Sequence, residues 1–527
     1  MNLGLTIRTI IHLKPVQIGN RIWRKRLSFL RRPRPPASTS PLPEFEFLNV
    51  KGNPNGWNDP RFEKLWLYNL HYFDYLAAKG HKEGAEIIEK WIRENPKGWG
   101  NGWEPYPISL RVVNWIKWLD DEGREEDGHK EHREHRGEAM QEKKSLWSLC
   151  SLWLSDGHKE HREQEQRERE DVEERINESL REQMNWLYPR LEYHLLANHL
   201  LANAKALVFA GVFLENEKWY KKGMAIYRHE LPEQTCGDGV HFERSPMYHC
   251  IILEDVLDCY KLIKGRREQK TGSGMQDAEL FKEYAGKMLV GLKMLVGSDG
   301  KIAKFNDSSE GIAKSPANLF AYAATEGFDV ASNLQPPTFN LQPSPSGFLR
   351  LENQTYCMLA KCGEIGPSYQ PGHAHADTWS FELWKNGRKV IGDTGCSTYV
   401  PGPVRSYERS TAAHNTVVID GQDSSEVWAA HRVGRRFDFG RYRRRFELTA
   451  EGLKGVDEVF GHGEHNLEVR FHLPPGVGEE VVKISCNGER RVEPCEFAVG
   501  WNRREPGLCI IYHQIVRFPA TFTWSVS

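Results

Sequence analysis

Residues 335–347 read QPPTFNLQPSPSG, and the hydrophobic period of the chain changes across them. Upstream, FEKLWLYNLHYFDYLAAKG (62–80), GAEIIEKWIREN (84–95) and PISLRVVNWIKWLDD (107–121) place apolar residues three and four apart, the spacing that lines one face of a helix. The same period returns over 172–214, 217–231, 245–265 and 278–295. Residues 58–334 are therefore predicted to form roughly ten amphipathic helices on short loops. Downstream the period is two: FLRLENQTYCMLAKCG (348–363), TWSFELWKNGRKVIGD (378–393), HNTVVIDG (414–421), RRFDFGRYRRRFELTA (435–450), HNLEVRFHLPPG (465–476), CEFAVGW (495–501) and LCIIYHQIV (508–516). Short strands without intervening helices predict an antiparallel sandwich over 348–527. Asn386-Gly387 is a two-residue hairpin turn between two of them.

The whole sequence has 527 residues, 39% of them hydrophobic, with 17 Trp and a mean hydropathy of −0.62. These values exclude disordered, collagenous and polytopic membrane chains. Lys and Arg number 71 against 72 Asp and Glu. That balance excludes a general nucleic-acid binder, which needs a dominant basic field. The ten Cys show no CxxC pair, so neither a zinc ribbon nor a dithiol redox motif is expected. No small-residue cleavage site follows the N-terminal apolar stretches, so no cleavable signal peptide is visible. The most apolar stretch, 194–214, holds Asn198, His199, Asn203 and Lys205, and suits a buried helix better than a bilayer span.

Two segments depart from this regularity. Residues 1–43 carry nine Lys or Arg and no acid, and end in RRPRPPASTSPLP; residues 1–57 are expected to be an extended, solvated arm, with a membrane-surface or partner contact as the alternative. Residues 121–182 are about half charged, and the octapeptide DGHKEHRE occurs at 127–134 and again at 156–163. A solvated low-complexity insert at about 121–171 is the simplest account. His129, His132, His135, His158 and His161 lack the apolar framework a metal site needs.

The densest chemical signal is GHAHADTWSFELWKNGRKVIGDTG (372–395), followed by SYERSTAAHNTVVIDG (406–421). His373 and His375 alternate along an extended segment and so point to opposite faces. His375, Asp393 and His414 are chemically suited to Zn²⁺, or are structural polar residues at strand ends. A tight turn at 386–387 would set Asp393 opposite Ser380, so the chain must curve before His375 to close such a site. In the helical half, Asn198 and His199 lie in an otherwise apolar helix, as satisfied packing partners or as cleft lining. GDGVHFERSPMYHC (237–250) runs from a Gly-containing loop into a helix at Ser245-Pro246. Glu243, Arg244, Tyr248 and His249 are in reach, and Tyr248 can equally be an amphipathic anchor.

NHLLANAKAL, DGVHFERSPMYH, the GHAHAD segment with VIGDTG, and RSTAAHNTVVIDG resemble the signature blocks of the heparinase II/III-like polysaccharide lyases. NHLLAN and the QIGNRIWR segment look most like members from bacterial surface-polysaccharide gene clusters. The resemblance implies a multidomain α + β fold, an N-terminal (α/α) toroid, forming an incomplete barrel, followed by a C-terminal antiparallel β-sandwich. It also implies β-elimination on an anionic, uronate-containing polysaccharide in a bacterial periplasm or cell envelope. Elimination needs an offset for the C6 carboxylate, a base for the C5 proton and an acid for the departing O4. The resemblance assigns Asn198 and His199 to carboxylate neutralisation and proton handling, Tyr248 to acid and base, and His373 to the base. His375, Asp393 and His414 would hold a structural zinc. Some related lyases carry Glu four residues after the residue matching His199, where this chain has Asn203. Substrate contacts are expected from Glu243, Arg244, Arg405, Arg409 and Arg432, with Arg435 and Arg436 alongside. Two other functions remain compatible: a glycoside hydrolase using a carboxylate pair from Glu243, Asp238 and Asp307, and a non-catalytic polysaccharide-binding or assembly factor.

Overall fold

A computed structural model describes residues 12–29, 40–120, 155–267, 273–329, 342–428, 432–435 and 441–527; the side chains of Arg432 and Arg435 lie outside that description, as does all of Arg436. Upstream of the sheets the helices are Pro15–Phe29, Lys64–Tyr72, His81–Glu94, 105–120, Ser155–Leu187, Ala197–Phe213, Glu217–Gln234, Pro246–Arg267, Ser273–Leu295 and Pro316–Thr325. Their apolar faces meet in one core rich in indoles, where Trp91 and Trp115 cross edge to face at 5.5 Å and Phe73 meets Trp115 at 5.3 Å. Arg111 is buried in this core 3.9 Å above the Trp91 ring, and donates to Gln183 Oε1 at 2.9 Å and the Gly102 carbonyl at 2.8 Å. Those acceptors replace the water a buried guanidinium loses.

From Phe348 onward the chain is antiparallel sheet, as its period requires. Strands Phe348–Glu352, Tyr356–Lys361, Phe381–Lys385 and Arg388–Ile391 form the first sheet in sequence order. The second has the order Glu489–Gly500, Arg503–Arg517, Glu464–Leu473, Val417–Ile419, and the third Arg441–Leu448, Leu453–Phe460, Ala520–Val526, Ile484–Cys486. Phe381, Phe471 and Trp524 pack between them. The buried Arg444 guanidinium is closed by both oxygens of Asp457, one of which also accepts the Trp524 indole N–H at 2.9 Å. Asn386 and Gly387 take positive φ of 50° and 76°, and Lys385 pairs with Arg388 across them. That is the two-residue hairpin predicted. Beyond it a bulge shifts the register between Leu383 and Trp384, so Leu383 faces Ile391. The unbroken register that would set Asp393 opposite Ser380 is therefore not kept, and the ladder ends at Ile391.

A smaller cluster of Val240, Leu295, Phe305, Phe348, Leu359 and Trp384 joins the helical half to the first sheet. A Cβ at Gly297 would stand 2.2 Å from Trp384 atoms, so glycine is what lets the indole seat there. This apolar weld sets one wall of the cleft against the other.

Two expectations change. The N-terminal segment is not an extended arm where it is described: residues 15–29 are helical and packed on the body, Phe45–Phe47 pairs with Val50–Gly52, and Leu42, Phe45 and Trp57 are buried. The prolines that favour extension cluster at 33–43, whereas Pro15 opens the helix, where a missing N–H costs nothing. The charged insert is also not wholly irregular. The helix of residues 172–187 already begins at Ser155 and so includes the second octapeptide, while residues 121–154, with the first copy, lie outside the described residues. Glu, Gln and Arg are good helix formers, and Gln164–Glu168, Gln166–Glu170 and Arg169–Glu173 side chains bond at four-residue spacing. Ile176, Leu180, Met184 and Leu187 then carry the stripe that docks the helix.

Candidate active site

A cleft opens between the helical domain and the sheets, and Asn198, His199, Tyr248 and His373 all line it. Asn198 and His199 stand in the first turn of Ala197–Phe213, after Leu196 and Ala197 with φ of +63° and +51°. Such left-handed backbone is costly for non-glycine residues, and here it turns the helix start into the cleft. The Asn198 side-chain oxygen is buried and has no hydrogen-bond partner. His199 Nδ1 lies 3.3 Å from Glu192 Oε2, and its ring packs on Tyr106 at 4.6 Å. Burial opposes a charge on His199, but the Glu192 carboxylate prevails and holds its pKa above the ordinary imidazole value. Asn203 in turn donates to Glu192 Oε2 at 3.1 Å and accepts the Glu192 N–H at 2.7 Å. The acid absent at position 203 is thus replaced by one from the preceding turn, which Asn203 itself orients.

Tyr248 comes from the loop-to-helix junction. Gly239 has φ of +83°, and a Cβ there would fall 1.8 Å from the Lys287 carbonyl, so the loop can lie on its neighbouring helix only with glycine. Ser245 caps the helix, accepting the Tyr248 N–H at 3.2 Å and donating to the Asp307 carbonyl at 2.7 Å. The Tyr248 ring then stacks on His373 with centroids 3.9 Å apart, and its hydroxyl meets that of Tyr399 at 3.1 Å. Burial pushes the Tyr248 phenol well above its usual pKa, which keeps it protonated.

Asp307 organises the opposite wall. Its carboxylate meets His373 Nδ1 at 2.9 Å and His375 Nε2 at 2.8 Å, and takes a two-pronged ion pair from Arg405 with one arm at 2.8 Å. Although burial works against the charge, Arg405 and the two imidazoles hold the Asp307 pKa well below the carboxylate range. The carboxylate at Nδ1 fixes the orientation of the His373 ring.

Behind this wall, His414 Nδ1 bonds Asp393 Oδ2 at 2.8 Å, and the His375 and His414 rings are 5.4 Å apart. His375 Nδ1 and His414 Nε2 are both buried and without hydrogen-bond partners. Two orphaned imidazole nitrogens beside a carboxylate are a donor set that Zn²⁺ accepts. As the side chains stand, no three His, Cys, Asp or Glu among the described residues are gathered into a group that could hold an ion. Burial lowers the His375 pKa to about 4, whereas Asp393 overcomes burial at His414 and raises it.

The other sequence candidates lie elsewhere. Arg405 is spent on Asp307, and buried Arg409 donates to the Ala374 carbonyl at 3.0 Å; neither lines the cleft. Arg244 donates to the Glu364 carbonyl at 2.8 Å, and Glu243 is buried with its pKa pushed up by that burial; both also stand outside the lining. Asp238 accepts the Ser346 N–H at 3.1 Å and its hydroxyl at 2.5 Å. The Arg432 side chain falls outside the described residues. Sequence reading missed Glu192, Tyr106 and Tyr399, and weighed Asp307 only as a hydrolytic acid. Glu192 sits shortly before the NHLLAN block and Tyr399 just past VIGDTG, so nearness to the motifs was the available signal.

A helical domain thus closes against antiparallel sheets, with tyrosine, histidine and asparagine facing one cleft. The chain belongs to the heparinase II/III-like family. The heparinase II/III N-terminus model matches residues 169–324, and the heparinase II/III-like C-terminal model matches 343–443. A heparin-sulfate lyase of Bacteroides stercoris is 27% identical over 368 residues, 60% of this chain and 53% of that protein. One from Pedobacter heparinus is 25% identical over 325 residues, 54% of this chain and 48% of that one. The chain spans about half the length of these curated relatives. A crystal structure of heparinase III superposes with a TM-score of 0.60 at 18% identity, covering 90% of this chain and 77% of that one. The heparan sulfate lyase HepC of Pedobacter heparinus gives 0.51 at 18% identity, covering 90% and 79%. These structural likenesses concern the fold. Among the described residues no helix is long and apolar enough to cross a membrane.

Proposed function

We propose that the protein is a lyase that cleaves a uronate-containing polysaccharide by β-elimination. The observation that carries this reading is the stack of Tyr248 on His373, in the same cleft as Asn198 and His199. His199, charged through Glu192, offsets the C6 carboxylate; the Asn198 amide can turn its N–H₂ toward the same group, since its oxygen has no bond to lose. His373 takes the C5 proton at Nε2, with Asp307 stabilising the imidazolium that forms. Tyr248, protonated by burial, delivers a proton to the leaving O4. Electrons of the broken C5–H bond form the C4–C5 double bond, and those of the C4–O4 bond leave with the oxygen. Hydrolysis is less favoured, because none of Glu243, Asp238 and Asp307 lines the cleft.

The substrate is of low charge. Six Lys or Arg and five Asp or Glu line the cleft. Among the six cations, Lys79 pairs with Glu83, Lys117 with Asp258 at 2.6 Å, Lys205 with Asp255 at 2.7 Å, Lys314 with Glu254 at 3.0 Å and Arg503 with Glu505 at 3.8 Å. A densely sulfated chain would have to displace these carboxylates, whereas one uronate per repeat needs only the His199 end. His375, Asp393 and His414 would hold Zn²⁺ as a tie between sandwich loops, supplying stability and no proton step. Uronate polymers, each with and without sulfate on the same backbone, test the reading by near-UV absorbance of the unsaturated end. The expected result is an unsaturated product from the unsulfated form. A saturated reducing end means a hydrolase, and no cleavage across the set means a binding protein. Metal analysis should find about one Zn²⁺ per chain, and chelation should lower the melting temperature by mass action.

A further inference from the structure

The helix Pro15–Phe29 is amphipathic in the reverse sense of an ordinary surface helix. Gln17, Arg21 and Arg24 recur at helical spacing on the side that meets the body. Gln17 is buried and donates to the Tyr369 carbonyl at 3.3 Å, and Arg24 meets His194 at 3.0 Å. Lys14, just before the helix, pairs with Glu233. The outward arc carries Val16, Ile18, Ile22 and Trp23, which are 42%, 39%, 55% and 50% exposed. They are four of the eleven large hydrophobic side chains exposed among the described residues. A soluble helix normally turns such residues inward.

Charge identifies what covers this face. Residues 1–43 carry nine Lys or Arg and no Asp or Glu, in a chain whose net charge is only −1. An apolar arc with an exposed indole, flanked by cations, matches the boundary between acyl chains and acidic headgroups. Trp23 keeps its indole N–H satisfied on the Pro189 carbonyl at 3.4 Å while half its surface faces outward. Arg21 of this helix and Leu13 just before it line the cleft, so the helix stands beside it. We propose that Pro15–Phe29 docks the protein on an acidic phospholipid surface, holding the cleft beside the bilayer.

Co-sedimentation of the full chain with phosphatidylcholine vesicles, with and without phosphatidylglycerol, tests this independently of any enzymatic activity. Wild type should sediment with the acidic vesicles, remain in solution with the neutral ones, and be released by salt. Ile22→Ser with Trp23→Ser should weaken vesicle binding about tenfold or more, because each lost apolar group removes insertion energy. Val16→Ser with Ile18→Ser is a second variant on the same arc, used if the first melts early. Wild type that ignores acidic vesicles, or two well-folded variants that bind them like wild type, would overturn the proposal. So would a dimer that the same substitutions dissociate, because the face would then belong to a second copy.

Discussion

His199 and the pair His375–His414 are both held by carboxylates, yet they occupy opposite kinds of place. The His199 side chain is 29% exposed, opens to the cleft and shares one acid, Glu192. His375 and His414 are fully buried, and every carboxylate near them is committed to several donors. Around the cleft, polar atoms such as the Asn198 oxygen lack partners and face the space a ligand would fill; around Asp307, three side chains converge on the carboxylate, and the unpartnered His375 Nδ1 and His414 Nε2 behind it are buried away from the cleft. The difference teaches where binding energy for a ligand is available. A group already satisfied by the protein has little to offer a substrate, whereas an unsatisfied one gains a bond when the ligand arrives. That is also why Arg405 and Arg409, the guanidiniums nearest the motif, are architecture.

The comparison breaks first at Tyr248. On a polymer that wild type cleaves, Tyr248→Phe should lower turnover about 10²- to 10⁴-fold with melting unchanged, the range for a positioned acid or base. Retention of more than about a tenth of wild-type kcat rejects it as the proton donor. Asp307→Asn addresses the other side. Arg405 would stay buried without its counter-charge, a loss of about 3–5 kcal/mol in stability. A melting temperature within a degree or two of wild type would show that Asp307 is no hub.

Acidity separates the regions further. Because Glu192 raises the His199 pKa, the charge that receives the uronate should persist above about pH 6.5 and be lost as pH rises through that raised value. The kcat/KM profile should therefore fall on its alkaline limb above the ordinary histidine range, and His199→Gln should remove that limb. Core histidines act in the opposite direction. His249 accepts the His241 N–H at Nδ1 and faces the Met288 carbonyl through Nε2, and burial lowers its pKa to about 4. The unfolded chain takes up a proton near pH 6.5 that the folded one refuses, so stability should decline as pH falls from there toward 4. Flat melting temperatures over that window would contradict it. The smallest effect is expected from the charged segment. Joining residue 122 to residue 171 by a flexible linker keeps the buried stripe from Ile176 to Leu187. The shortened protein should fold and melt within a few degrees of wild type, and an insoluble product would show that 123–170 contains a structural helix.

The sequence by itself determined the order of the architecture, because helix and strand periods are local properties of side-chain spacing. It likewise located the 386–387 hairpin, the helix start at Ser245-Pro246 and the four residues that meet in the cleft, since short motifs keep their chemistry in view. Only the tertiary structure decided the partners. Glu192, oriented by Asn203, meets His199, Asp307 reaches His373, His375 and Arg405 across at least 66 residues, and a bulge shifts the register of the strand that leads to Asp393. It also laid residues 15–29 of the basic N-terminal segment down as a helix with its apolar face outward. Charge pairing depends on distance and desolvation, and neither exists until distant parts of the chain have docked.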